Sequence, residues 1–212
     1  MNAPELGFVH RFVPGSQPGA TPLLLLHGTG GDENDLVPLG QALVPGAPLL
    51  SPRGQVLENG MPRFFRRLAE GVFDEEDLRL RARQLSDFVA EARETYALGG
   101  APPIGVGFSN GANIAAALLL LHPGTLGGAL LFRPMVPLVP DPLPTLVQTR
   151  VFIAGGRLDP IARPEQTQAL ADLLERAGAE VSLRWTQAGH SLTREDLQSA
   201  ERWMSALTAT GR

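Results

Sequence analysis

The stretch Gly107-Phe108-Ser109-Asn110-Gly111 constrains this chain more than any other. It succeeds an apolar, strand-like run (Pro103, Ile104, Gly105, Val106) and leads at once into a helix-like run from Ala112 to Leu118. A chain that passes from strand to helix in so few residues must turn sharply at Ser109. Small residues two before and two after the Ser let the neighbouring backbones come close enough for that turn. The turn raises the hydroxyl clear of a sheet edge, with the free N–H groups of a helix N-terminus behind it. A GxSxG sequence alone is a modest signal, because Gly, Ser and Ala are common. Its weight here comes from an Asp and a His at suitable places further along the chain.

Asp159 lies in Gly155-Gly156-Arg157-Leu158-Asp159-Pro160, just past a strand-like run, 50 residues after Ser109. His190 lies in Ala188-Gly189-His190-Ser191, past the next such run and 31 residues further on. Ser, then Asp, then His is the chain order of α/β-hydrolase triads. Each gap holds only enough chain to return the next loop to the same sheet edge, where open α/β sheets build their sites. The chemistry then assigns Ser109 as nucleophile, His190 as proton carrier and Asp159 as the group that orients His190.

Two backbone N–H groups must also converge on the acyl oxygen. Asn110 supplies one, and Thr29, in His27-Gly28-Thr29-Gly30-Gly31, is expected to supply the other. The same loop fails as a dinucleotide site: a GxGxxG pattern needs Gly where Glu33 stands, and Asp32 and Asp35 would repel a pyrophosphate.

Bland readings exist for each other candidate. Asp141 lies between prolines before the strand that should carry the acid. His27 ends a run of four Leu and reads as a structural hydrogen-bonder beneath the oxyanion loop. His122 comes after a helix end, where an imidazole can satisfy last-turn carbonyls. His10 has no partner in view. Four scattered His without HxH or HExxH spacing argue against a catalytic metal or an iron-dependent ring-cleaving oxygenase. No metal or cofactor is expected.

The remaining chain alternates short apolar runs with helical patterns. Leu6 to Val13 reads as an edge strand and Pro22 to His27 as a strand buried on both faces. Ala47 to Ser51, Gly127 to Phe132, Val151 to Gly155 and Val181 to Trp185 are further strands. Asp74 to Tyr96, Arg163 to Arg176 and Thr193 to Leu207 read as helices, the last with a capping-box-like Thr193 and Asp196. The expectation is a single α/β-hydrolase domain over residues 1–212, with a mostly parallel sheet of about seven strands and helices on both faces. A chain of 212 residues suits one such domain. Arg133 to Arg150, Pro-rich, is too short for a large lid, which favours short, soluble esters.

Composition removes other classes. Cysteine is absent, so disulfides and thiolate chemistry are excluded. A net charge of −4 without a basic block argues against nucleic acid or an anionic membrane as partner. The longest apolar run, Ile114 to Leu121, is far short of the ~18 residues of a membrane span. Residues 1–5 lack the pattern of a targeting leader, and a cytoplasmic location is the default. A homodimer is compatible with the composition, though no residue pattern demands one.

These motifs resemble the phospholipase/carboxylesterase branch of the α/β hydrolases, which includes acyl-protein thioesterases. The segments Pro52-Arg53-Gly54, Glu58 to Arg67 and Phe132 to Pro137 are similar to a bacterial carboxylesterase subgroup, some of whose members are associated with hydroquinone or aromatic-compound response. The resemblance covers nearly the whole chain. It implies the triad Ser109, Asp159 and His190 and backbone oxyanion donors at Thr29 and Asn110. Acyl-protein thioesterases usually carry Gln where this chain has Asn110.

A cofactor-free serine carboxylesterase acting on small or medium esters is therefore expected. The alternatives are a thioesterase or lysophospholipase with the same triad, and a non-catalytic binding protein on the same fold. Phe64, Phe65, Phe73 and Met135 are candidates for an apolar pocket, with ordinary packing as the competing reading. Arg63, Arg66 and Arg67 form a local basic cluster that could meet a substrate carboxylate, with solvated charge as the more frequent role of such a cluster.

Overall fold

The computed structural model describes residues 6–210. The absence of a leader in residues 1–5 therefore concerns residues outside the described ones, and the single-domain span 1–212 extends beyond them at both ends. The elements in chain order are β1 (His10–Val13), β2 (Leu23–Leu26), α1 (Val37–Leu43), β3 (Leu49–Pro52), β4 (Val56–Glu58), β5 (Met61–Arg63), β6 (Arg67–Ala69) and β7 (Val72–Phe73). They continue with α2 (Glu75–Thr95), β8 (Ile104–Phe108), α3 (Asn110–Leu121), β9 (Gly128–Phe132), β10 (Arg150–Gly156), α4 (Pro164–Arg176), β11 (Glu180–Thr186) and α5 (Arg194–Thr210).

Seven strands form one sheet in the order β1-β3-β2-β8-β9-β10-β11. β1 pairs antiparallel with β3 at one edge, and the other neighbours are parallel. Alternation along each strand supplies two cores. Leu24 and Leu26 of β2 belong to the core on the side of α2, α3 and α4, whereas Leu23 and Leu25 belong to the core on the side of α1 and α5. All four Leu are fully buried, as a strand with both faces covered requires.

Local sequence explains the main helices. Asp74 caps α2 by accepting from the Asp77 N–H at 3.1 Å, and Leu78, Leu85, Phe88, Val89 and Ala92 form its buried stripe. α3 is buried from Asn110 to Leu120 because small and aliphatic residues surround it on every side. Thr193 and Asp196 bond reciprocally at the start of α5, the Thr193 N–H to Asp196 Oδ2 at 2.8 Å and the Asp196 N–H to Thr193 Oγ1 at 3.2 Å.

Other parts differ from expectation. The first strand begins at His10, not Leu6, and His10 has a partner: its Nε2 lies 2.6 Å from the Tyr96 hydroxyl. At the end of α3 the backbone N–H of His122 bonds the Leu118 carbonyl. α1 and two hairpins, β4–β5 and β6–β7, occupy stretches where no element is expected from the sequence. Strands of two or three residues are too short to display a period. The segment 133–149 contains neither helix nor strand, so it forms no helical lid. Among the described residues no helix is long and apolar enough to cross a membrane.

Candidate active site

β8 ends at Phe108, and Ser109 turns the chain into α3 with φ +52° and ψ −114°. A non-glycine residue held there is strained, and its surroundings must enforce the conformation. The Ser109 N–H bonds the Phe132 carbonyl of β9 at 2.9 Å. A side chain on Gly111 would run into the carbonyl of Leu26, and one on Gly107 into the backbone of Gly111. The two glycines thus let β2, β8 and α3 meet backbone to backbone beneath the serine.

Asp159 and His190 arrive from the ends of β10 and β11, and the structure brings all three residues together. His190 Nε2 lies 2.8 Å from Ser109 Oγ, and His190 Nδ1 lies 2.8 Å from Asp159 Oδ2. The other oxygen of Asp159 accepts the N–H groups of Ile161 and Ala162, at 2.8 and 3.0 Å. With Oδ1 so occupied, Oδ2 is left for the imidazole. The carboxylate is buried, while the ring of His190 keeps 22% exposure beside Phe108.

The loop carrying His190 is held from behind by Arg133, a fully buried residue with φ +54° at the end of β9. Its guanidinium donates to the carbonyls of Gly189 and Ser191, both at 3.0 Å, and so grips the residue on each side of the imidazole. It also donates to the Ala154 carbonyl at 3.0 Å and forks onto Asp196 at 2.6 and 3.1 Å. Burial pushes the Asp196 carboxyl up, but Arg133 and the bonds from Thr193 outweigh it and hold the group below the usual carboxylate range.

The two expected oxyanion donors lie on one wall, and the hairpin segment β4–β5 with the residues just beyond it braces both. The Phe64 N–H donates to Asn110 Oδ1 at 2.7 Å. Arg63 donates to Thr29 Oγ1 at 2.7 Å, and the Gly30 N–H bonds the Pro62 carbonyl at 2.9 Å. His27 sits beneath the loop, in keeping with its position after β2. Its Nδ1 donates to the Gly28 carbonyl at 2.7 Å and its Nε2 accepts the Gly54 N–H at 2.9 Å. Burial lowers its pKa from the ordinary value and favours the neutral ring that these two bonds require.

A chamber of about 270 Å³ opens before Ser109, with Thr29, Asn110 and His190 in its lining. Phe73 and Met135 also line it. Phe64 and Phe65 do not: both rings turn into the core, Phe64 against His27 and Phe65 edge-on to Phe73. Their backbone serves the site while their apolar rings take the burial, and packing is their role. The reading of Arg63, Arg66 and Arg67 as one solvated cluster also fails. Arg63 is 3% exposed, and it and Arg67 line the chamber, while Arg66 points to Asp74 and Asp77.

A larger hollow of about 670 Å³ lies at the opposite end of the strands, beside Thr21, Pro102 and Met204, and among the described residues no titratable side chain lines it. Sequence reasoning placed Arg63 in a basic cluster but missed its bond to Thr29, and it missed Arg133 and Asn113, whose Oδ1 accepts the Met135 N–H at 2.8 Å. No spacing marks them, because each acts through partners far along the chain.

A mostly parallel sheet covered on both faces, with a serine on a strand-to-helix turn facing His and Asp from later strand ends, places the chain among the α/β hydrolases. No protein-family model matches it. MhqD of Bacillus subtilis (strain 168), assigned as a hydrolase, is 50% identical over 181 residues, spanning 85% of this chain and 90% of its own. A carboxylesterase of Bacillus cereus is 47% identical, with a TM-score of 0.92 over 94% of each chain. A carboxylesterase of Mesorhizobium loti is 33% identical, with a TM-score of 0.88 over 96% of this chain and 97% of its own. The chain belongs to the phospholipase/carboxylesterase branch of the α/β hydrolases.

Proposed function

We propose that the protein is a serine carboxylesterase that hydrolyses small carboxylic esters through an acyl-enzyme on Ser109. The observation that carries this reading is the unbroken relay from Asp159 Oδ2 through His190 to Ser109 Oγ, 2.8 Å at each step, beside an open chamber. With Nδ1–H donated to Asp159, Nε2 offers a lone pair to the serine hydroxyl. As Ser109 Oγ bonds the acyl carbon, its proton passes to His190 Nε2, and the acyl oxygen becomes an oxyanion facing the Thr29 and Asn110 N–H groups. The ester C–O bond then breaks, and the leaving alcohol takes the proton from His190. Water, deprotonated by the same nitrogen, releases the acid and restores Ser109.

The chamber has room for a short acyl group. The carboxylesterase relatives support ester cleavage as the reaction. The test is hydrolysis of p-nitrophenyl esters from acetate to palmitate by wild type and Ser109→Ala. Short esters are expected to be cleaved and long ones poorly, with the variant losing about 10⁴-fold or more in kcat. A wild-type protein that cleaves none of them and resists labelling by a fluorophosphonate would instead favour a binding protein.

A further inference from the structure

We infer that the chamber selects small esters bearing a free carboxylate, which Arg67 and Arg63 hold beside Ser109. This deepens the serine-esterase reading above and rests on it. Among the described residues lining the chamber, the permanently charged ones are these two arginines, and no carboxylate lines it. Behind them, Glu58 serves both cations: it lies 3.2 Å from Arg63 Nε and 2.9 Å from Arg67 Nη2. Two guanidiniums sharing one carboxylate leave an excess of one positive charge in that wall.

Arg63 has little water to make up the difference. Its partners are the Thr29 hydroxyl at 2.7 Å, the Phe65 carbonyl at 3.2 Å, the Phe65 ring with its centroid 5.9 Å away, and the shared Glu58, which is its one anionic partner. Burial draws its guanidinium below the usual arginine range; Glu58 opposes that effect and Arg67 adds to it. A second anion would relieve this deficit, and a carboxylate matches the planar fork of a guanidinium through paired hydrogen bonds. Arg66 provides the contrast. It has Asp74 at 3.0 Å, is 61% exposed and does not line the chamber, so the sequence cluster divides into two site arginines and one surface arginine. The chamber of about 270 Å³ has room for a short molecule such as the half-ester of a small dicarboxylic acid.

The experiment compares monoethyl succinate with ethyl succinamate, its uncharged carboxamide isostere, for wild type, Arg67→Gln and Arg66→Gln. In wild type at low salt, kcat/KM is expected to favour the acid by about tenfold or more, the scale of one charge-assisted contact. The preference should shrink as salt rises. Arg67→Gln should abolish it, while Arg66→Gln should keep it. A wild-type ratio near one, or a preference that survives Arg67→Gln, overturns the inference. Cleavage of p-nitrophenyl acetate but of neither succinyl ester overturns it too and leaves the serine-esterase reading intact. If p-nitrophenyl acetate is also untouched, the esterase reading falls, and the chamber is tested by heat denaturation with succinate or succinamide. Stabilisation by succinate alone, lost in Arg67→Gln, supports the anion site; no stabilisation by succinate ends it.

Discussion

Two arginines stand on either side of the relay from Asp159 through His190 to Ser109, both removed from water, and they are compensated very differently. Arg133, behind His190, has Asp196 to itself in a forked pair, three backbone carbonyls and the Thr186 hydroxyl at 3.4 Å. Arg63, on the chamber wall, has one hydroxyl, one carbonyl, the Phe65 ring at 5.9 Å and a glutamate it shares with Arg67. A buried charge persists only if it is paired and hydrogen-bonded. Arg133 meets that demand within the protein, which makes it a scaffold. Arg63 meets it in part, which leaves its side of the chamber open to an anionic ligand. Burial alone therefore does not distinguish a structural cation from a binding one; the completeness of its partners does.

The largest effect should come from breaking the complete set. Arg133→Met strands Asp196 without a counter-ion and frees both carbonyls that flank His190. Losing one member of a buried pair typically costs about 3–5 kcal/mol. For a chain of this length that corresponds to a fall in unfolding midpoint of roughly 6–20 °C, measurable by thermal denaturation. A fall of only a degree or two would mean that Arg133 is not the scaffold described.

Arg63→Met should cost less stability, about 1.5–3 kcal/mol for bonds to a charged group, because its set is already incomplete. Its signature should be kinetic. Without Arg63 the Thr29 side chain loses its anchor, so kcat for p-nitrophenyl acetate should fall, by up to the roughly 10²–10³-fold that removal of an oxyanion donor costs. Steady-state kinetics together with a melting curve decide the matter. A stability loss equal to that of Arg133→Met would erase the distinction between the two sites.

The smallest effect lies at the acid end. Asp196 is held below the ordinary aspartate value of 3.8, so the folded state releases its proton more readily than the unfolded chain does. Its stabilisation is fully present above that value and is lost as the pH falls through it towards the lower folded pKa. Wild type should thus lose stability between about pH 4 and more acidic values, and Asp196→Asn should show a shallower acid limb. Parallel slopes in the two proteins would remove Asp196 from the acid sensitivity.

Much of the frame is legible in the residues alone. β2, β8, β9 and β10 each lie within a residue or two of the expected apolar run, because strands buried on both faces must be continuously apolar, and the edge strand β11 is marked instead by the alternation of Val181, Leu183 and Trp185. Ser109, Asp159 and His190 stand out as candidates because each comes just after such a run. Phe64 and Phe65 mislead for a physical reason: an aromatic pair beside a site looks the same in sequence whether its rings enter the chamber or the core. The hairpin β4–β5, which with Phe64 just beyond it braces Thr29 and Asn110, is invisible there, since strands of three residues carry no pattern and these contacts reach 34 and 46 residues along the chain.

Local apolar pattern, and glycine where backbones meet, account for the succession of strands and helices, the sharp turn at Ser109 and the order of the three candidate catalytic residues. These features need no knowledge of distant partners. Which arginine is fully neutralised and which is left in need of an anion depends on long-range packing instead. Arg63 meets Thr29 across 34 residues and Arg133 meets Asp196 across 63. The sequence records the same residue type at both positions; the compensation of each charge is set by whatever the fold packs around it.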